Sequence, residues 1–233
     1  MIRPAYAQAD NLRIERSAFD HIERGASFVI IGITPGAQQR DLADNAYARA
    51  IGQGSSNADA SRIAKYAASF GGAMRTNLVR MLDHVRASDW LGLSSFSEAF
   101  DPRRESTVHF TSALRYPVFV DEKNYNGYPD MIATPILRQM IETHLAEEAA
   151  ALPNAVWQPL GDKPTAALRH LVRLGRLKAD QIAPSLPHPS GANAERIKYF
   201  LGEKLASDLS DKTNAVKIDE LRKNAFQFYT DRN

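Results

Sequence analysis

The spacing of apolar and polar positions changes several times along the chain, and each change marks an element. Leu12, Ile14, Phe19 and Ile22 predict a helix over 12–24. SFVIIG, from Ser27 to Gly32, is an unbroken apolar run of strand length, which predicts a strand buried on both faces, as at the centre of a parallel sheet. TVHFTS over 107–112 and AVWQPLG over 155–161 predict two more strands, and a short fourth strand is expected over 181–185. Helical patterns lie between them. Residues 37–66 hold a short helix, the loose GQGSSN loop and the start of another helix; further helices are predicted over 74–85, over 135–150, in the stretch carrying LRHLVRLGRLK, and over 193–209. Thr134 suits the N-cap and Pro135 the first position of the 135–150 helix, while DEKNYNGYPD over 121–130 reads as a polar loop.

Alternating strands and helices predict an α/β fold: a three-layer α/β/α sandwich with a short, mainly parallel central sheet. The expected organisation is a single domain over 1–233, with a polar helical insertion at about 37–66 and a charged, peripheral C-terminal tail from about 210, helical from Lys212. A length of 233 residues with 44% apolar and 24% charged positions suits one sizeable core. No run approaches the roughly 18 apolar residues of a membrane span, and MIRPAYAQADNLRIER lacks the apolar stretch of a secretion signal, so a cytoplasmic location is expected.

Composition then removes several chemistries. Without cysteine the chain can form no disulfide, no thiolate zinc site and no ordinary iron–sulfur cluster. The six histidines show no ligand spacing, so neither a metal nor another cofactor is expected. GQGSSN does not complete Gly-x-Gly-x-x-Gly, and no Gly-x-Ser-x-Gly elbow is present, which argues against dinucleotide binding and serine hydrolysis. A net charge of +2 permits a polyanionic partner without demanding one.

Ligands of open parallel sheets bind beyond the carboxyl ends of the strands, and three unusual loops fall there: ITPGAQQ, SALRYP and PHPSGAN. His188 stands between Pro187 and Pro189, which stiffen the backbone on both flanks and hold the imidazole at the mouth of a helix. Ser190, Gly191 and Asn193 offer a hydroxyl and backbone amides that either bind a phosphate or cap the helix.

GITPG over 32–36 and HPSGAN over 188–193 resemble the first and last motifs of the uracil-DNA glycosylase superfamily. ASFGGAMRTNLVRML over 68–82, FTSALRYP over 110–117 and LPNAVWQPLGDKPTAAL over 152–168 are similar to segments of its family 4/5 branch, whose iron–sulfur cysteines are missing here. The similarity spans about 27–200. It implies a uracil-DNA glycosylase-like fold and a monofunctional DNA glycosylase that flips out uracil or another modified base, excises it and leaves an abasic site. His188 would donate to the base oxygen that becomes anionic, and Thr34 would hold the water that the family positions with Asp or Asn. Ile33, Phe70 and Ser112 would contact the base, Phe70 as a stacking face or else as an ordinary core residue. Ser190, Gly191, Asn193, Arg196, Arg75 and Arg115 would contact DNA, with Lys123 a further candidate, while Arg169, Arg173, Arg176 and Lys178 read equally as a solvated helix face. Tyr125 and Tyr128 fall in NYNG and its flank, either against the base or in a polar turn.

Thr34 and Ser112 depart from the family pattern, which puts uracil specificity in question. Two alternatives follow: a glycosylase for bulky modified bases in phage DNA, serving anti-phage defence, or a non-catalytic protein that binds altered bases or abasic sites. The implied partner is DNA containing a modified base; no membrane, metal or obligate protein partner is expected, and no matched motif carries a lysine suited to lyase chemistry.

Overall fold

The computed structural model describes residues 6–101 and 107–232. The chain runs through β1 (Ala7–Ala9), β2 (Leu12–Ile14), β3 (Phe28–Gly32), α1 (Ala37–Gly52), α2 (Asn57–Ala68), α3 (Ala73–His84) and the single turn α4 (Ala87–Trp90). It continues through β4 (Val108–Ser112), β5 (Val118–Val120), β6 (Lys123–Asn124), α5 (Pro135–Met140) and α6 (Ala146–Ala151), the two helices being joined by a π-turn over Ile141–Leu145. β7 (Val156–Pro159), α7 (Asp162–Arg173), α8 (Ala194–Phe200) and α9 (Ala215–Thr230) complete it.

The three strands predicted from continuous apolar runs form one parallel sheet in the order β4-β3-β7, with Phe28 opposite Val108 on one side and Val156 on the other. Side chains alternate across a strand, so β3 divides its residues between two layers. Val29 and Ile31 pack with Leu137, Met140, Ala149, Leu168 and Leu171 of α5, α6 and α7. Phe28 and Ile30 pack with Leu78 and Leu82 of α3, Phe200 of α8 and Tyr229 of α9. The fold is therefore a three-layer α/β/α sandwich, and each fully buried β3 side chain contributes roughly 1.5–3 kcal/mol. The polar insertion becomes the packed pair α1 and α2, joined through the small residues Ala43, Ala46, Ala64 and Ala68, with Phe19 against them. Among the described residues no helix is long and apolar enough to cross a membrane.

Several sequence expectations need correction. The helix expected over 12–24 is a strand followed by irregular chain, because Leu12 and Ile14 alternate with Arg13, a period of two, and pair with Val120 and Val118 of β5. The same small antiparallel sheet, in the order β1-β2-β5-β6, absorbs Lys123 and Asn124 from the expected loop over 121–130. The strand expected over 181–185 is reduced to isolated bridges, Ile182 to Trp157 and Leu186 to Leu160, since Pro184 has no N–H to continue a ladder. The helix expected over 193–209 ends at Phe200, where Gly202 takes a φ of 75° and terminates it. Thr134 precedes α5 but makes no side-chain cap bond.

The C-terminal helix is not peripheral. Ile218, Ala225 and Tyr229 share one face of α9 and are buried, and the Tyr229 hydroxyl donates to buried Gln158 of β7 at 2.5 Å. Tyr229→Ala is expected to cost about 3–5 kcal/mol of unfolding free energy in denaturant titration, by analogy with buried aromatic truncations, whereas the exposed Phe226→Ala stays within about 0.5 kcal/mol. Equal effects of the two substitutions would mean that α9 is not part of the core.

Candidate functional site

A cavity of about 550 Å³ opens beyond the carboxyl ends of β3 and β4. It is lined by Ile33 and Thr34 after β3, Ser112 at the end of β4, Phe70 between α2 and α3, and His188, Ser190 and Asn193. The loops expected to converge do so.

The loop after β3 is held from three directions. Ala113 and Leu114 donate their backbone N–H groups to Gly32 and Ile33, Gln39 bridges from Gly36 N–H to the Ala68 carbonyl, and Asn124 accepts from Ala37 N–H at 2.9 Å. The Thr34 hydroxyl donates to the Tyr116 carbonyl at 2.9 Å, so its proton is committed and only its lone pairs remain for a water.

Phe70 adopts a φ of 49°, costly for a bulky residue, and the turn is completed by Gly72 at 69°. This backbone brings the ring beside Gly32 and Ser112, with its edge against Phe110 at 6.2 Å between centroids. Arg75 stabilises the turn from behind. Its guanidinium donates to the Tyr66 and Ser69 carbonyls at 3.1 and 2.8 Å and lies 4.5 Å from the centroid of the Phe100 ring. Arg75 therefore supports the turn carrying Phe70.

His188 is similarly fixed. Asn77 of α3 donates to the Pro189 carbonyl at 2.9 Å, and the Ser190 backbone N–H donates to His188 Nδ1 at 3.3 Å. A donor at Nδ1 requires that nitrogen to be bare, so in the neutral ring the proton resides on Nε2. Burial lowers the His188 pKa, which keeps the ring neutral at physiological pH. The result is a preorganised neutral N–H donor. Asn193 donates to the Ser190 hydroxyl and accepts from Arg196, while Gly191 is exposed outside the cavity lining.

Arg115 lines the cavity, but its fork is saturated by Glu148, Glu147 and the His144 carbonyl, each at 3.0 Å. It is a buried structural cation rather than a DNA contact. Arg196 is exposed and lines a second groove with Lys163, Lys212 and Lys217; that groove shares Ile33, His188 and Asn193 with the cavity. Lys123 is exposed on β6, Tyr125 is buried in the cavity wall, and Tyr128 is 79% exposed. Arg169, Arg173, Arg176 and Lys178 form a solvated surface. Among the described residues no group of three or more His, Asp or Glu side chains is disposed to hold a metal ion.

Sequence reasoning missed one charged residue of the cavity wall. Lys65 of α2 lines it and is buried, its ammonium donating to the His21 carbonyl at 2.6 Å with a Glu148 oxygen at 3.8 Å. Burial lowers its pKa to about 8, opposed by Glu148. The available signal was a lysine set among Ala60, Ala64 and Ala68, on the small-residue side of its helix. Glu148 is fully buried; its own burial raises its pKa, but Lys65, His109 and Arg115 outweigh that and hold the carboxyl well below its usual range. His109 sits behind them, with burial pushing its pKa down to about 4.

Because folded His109 takes up a proton less readily than it does in the unfolded chain, the unfolded state binds more protons between pH 6.5 and about 4, and stability falls as pH drops through that window. The loss reaches at most about 3 kcal/mol. Thermal melts from pH 7 to 4.5 should show this decline in the wild type and a flatter profile in His109→Gln, whose amide oxygen can still accept from Glu23 N–H. Parallel profiles would remove His109 from the acid response.

No family model and no solved structure matches the chain. A curated relative, "Uncharacterized protein YoxB" of Bacillus subtilis (strain 168), is 35% identical over 202 residues, spanning 86% of this chain and 78% of that protein. With that identity sustained over most of both lengths, the chain belongs to the same family as YoxB.

Proposed function

We propose that the protein is a monofunctional DNA glycosylase that flips uracil or another modified base out of DNA and excises it, leaving an abasic site. One observation carries this reading: an aromatic face, Phe70, a short polar side chain, Ser112, and a neutral donor, His188, surround one cavity beyond the ends of parallel strands. Phe70 stacks on the extruded base. Ser112 meets its edge. His188 Nε2–H donates to the base oxygen on which negative charge grows as the glycosidic bond breaks, a contribution of about 3 kcal/mol for one preorganised donor.

Thr34 orients water through its lone pairs, its proton being given to the Tyr116 carbonyl, and does not act as a base because a neutral hydroxyl is too weakly basic to take a proton from water. The sugar is therefore captured late, after the bond to the base has largely broken. DNA approaches along the groove of Lys163, Arg196, Lys212 and Lys217, which opens beside His188. A cytoplasmic site of action is part of the proposal. The 550 Å³ cavity and the short Ser112 side chain favour, as a second reading, a bulky modified base such as those of phage DNA.

Oligonucleotides each carrying one modified base, incubated with the protein and then cleaved with alkali, test the activity. On the best substrate, His188→Ala is expected to lose about a hundredfold or more in single-turnover excision while keeping its melting temperature and DNA affinity, and Thr34→Ala to lose less. Full activity of His188→Ala would remove its leaving-group role. In the groove, Arg196→Ala should weaken binding of all sequences alike and reduce the log-log salt slope by about one. Unchanged slopes would take Arg196 out of the interface.

A further inference from the structure

A third groove, of about 1010 Å³, lies along α7 and shares no lining residue with the cavity. α7 supplies Asp162, Ala166, Arg169 and Arg173 to it, positions three or four apart that fall on one face of the helix, while Ala167, Leu168 and Leu171 belong to the core. Ile182, Pro184 and Leu221 of α9 add to an aliphatic lining that, among the described residues, holds no aromatic ring. Charge sets this groove apart. Elsewhere on the surface the exposed Arg80 and Arg86 each hold a carboxylate, Glu203 and Asp89. Arg169, together with Arg176 and Lys178 just past the end of α7, is exposed and has no ion-pair partner among the described residues. Arg173 meets the Nδ1 atom of His170 at 3.3 Å and no carboxylate, and the Asp162 carboxylate of the lining is already taken by Lys217 at 2.8 Å. The cations between positions 169 and 178 are thus left for a partner.

We propose that this groove docks an acidic peptide segment of another protein, one that carries aliphatic side chains among its carboxylates. The carboxylates pair with the guanidinium forks of Arg169 and Arg173, and the aliphatic side chains displace water from Ala166, Ile182, Pro184 and Leu221. An exposed ion pair alone contributes little, so the adjoining apolar lining gives the segment its hold. From Asp162 to Arg173 the helix face is about 17 Å long at 1.5 Å per residue, which an extended peptide of about five residues spans. Nucleic acid fits this lining less well. Single strands are held by stacking on aromatic rings, and a phosphate track gains nothing from an aliphatic surface. Asp162, shared with the groove of Lys163, Arg196, Lys212 and Lys217, also places a carboxylate in the path of any phosphate backbone passing from one groove to the other. The docking site is independent of the glycosylase reading.

The test pans a displayed pool of random peptides of about seven residues, somewhat longer than the groove, against the full-length protein and against the double variant Arg169→Glu with Arg173→Glu, both positions being exposed. The wild type should enrich sequences with several Asp or Glu and one or two aliphatic residues, and the variant should not. A fluorescent peptide of the most enriched sequence, titrated by anisotropy, is expected to bind the double variant about tenfold or more weakly, because the reversal sets like charges against each other. Replacing the aliphatic residues of that peptide with Ser, its acids kept, should weaken binding to the wild type by a similar factor, which a purely electrostatic contact does not produce. Arg196→Ala, in the neighbouring groove, should leave peptide binding unchanged. If the charge reversal lowers the melting temperature, Arg169→Gln with Arg173→Gln takes its place and should show a loss in the same direction. A pool that yields no acidic sequences, or acidic sequences that bind wild type and variant alike, overturns the proposal. It falls equally if the Ser replacements have no effect while a labelled oligothymidine loses affinity for the double variant as steeply as the peptide does, since the groove is then a phosphate track for nucleic acid.

Discussion

Phe28, Val29, Ile30 and Ile31 lose all exposure to water, two side chains toward each helical layer, and the position of the cavity follows from that double burial. A strand buried on both faces must be covered by helices on both sides, and parallel neighbours are joined by connections that return over the sheet. All three strands therefore end at the same edge. Gly32, Ser112 and Pro159 stand there together; the chain leaving Gly32 and Pro159 turns into α1 and α7, and the chain leaving Ser112 turns into β5 of the second sheet. The space between those exits is the cavity.

The walls of that space are set by different physical means. Phe70 is placed by a left-handed backbone turn stabilised by Arg75, a locally unfavourable conformation that the surrounding hydrogen bonds over-determine. His188 is placed by two flanking prolines and by the Ser190 N–H on its Nδ1, which also sets its tautomer. Lys65 and Arg115 are placed by charge: with Glu148 they are buried together, and such a cluster persists because removing one member strands the others without a partner. The lining thus combines a flat apolar face, a neutral donor and buried cations.

Small hydroxyls at 34 and 112 mark the departure from the glycosylase pattern, and the surrounding structure gives each a physical context. Thr34 spends its proton on the Tyr116 carbonyl, tying the loop after β3 to the chain after β4. Ser112 and Lys65 both line the cavity, a short hydroxyl and a buried ammonium in the same wall. On the proposed reading, a site with so weak a base at position 34 would have to rely on stabilising the leaving base.

The three parallel strands were readable from the sequence because a central strand needs nothing but a continuous apolar run, a local property. The convergence of Thr34, Ser112 and His188 followed from placing their loops after successive strands, Phe70 was brought in by the resemblance alone, and prolines beside His188 announced a fixed side chain. Elsewhere the local signal was present but misread, as at Leu12 and Ile14, whose period of two belongs to a strand, and at Gly202, which ends α8. Other features have no local signal. Whether Arg75 and Arg115 point to solvent or satisfy buried carbonyls and carboxylates depends on partners distant in sequence, Glu148 being 33 residues from Arg115. Tyr229 reaches Gln158 across 71 residues, which is why a charged C-terminal segment proved to be core. Lys65 is the sharpest case: an amino acid type alone says that a lysine prefers water, and only the tertiary packing of α2 against β4 and α6 decides that its charge is buried in the wall of a cavity.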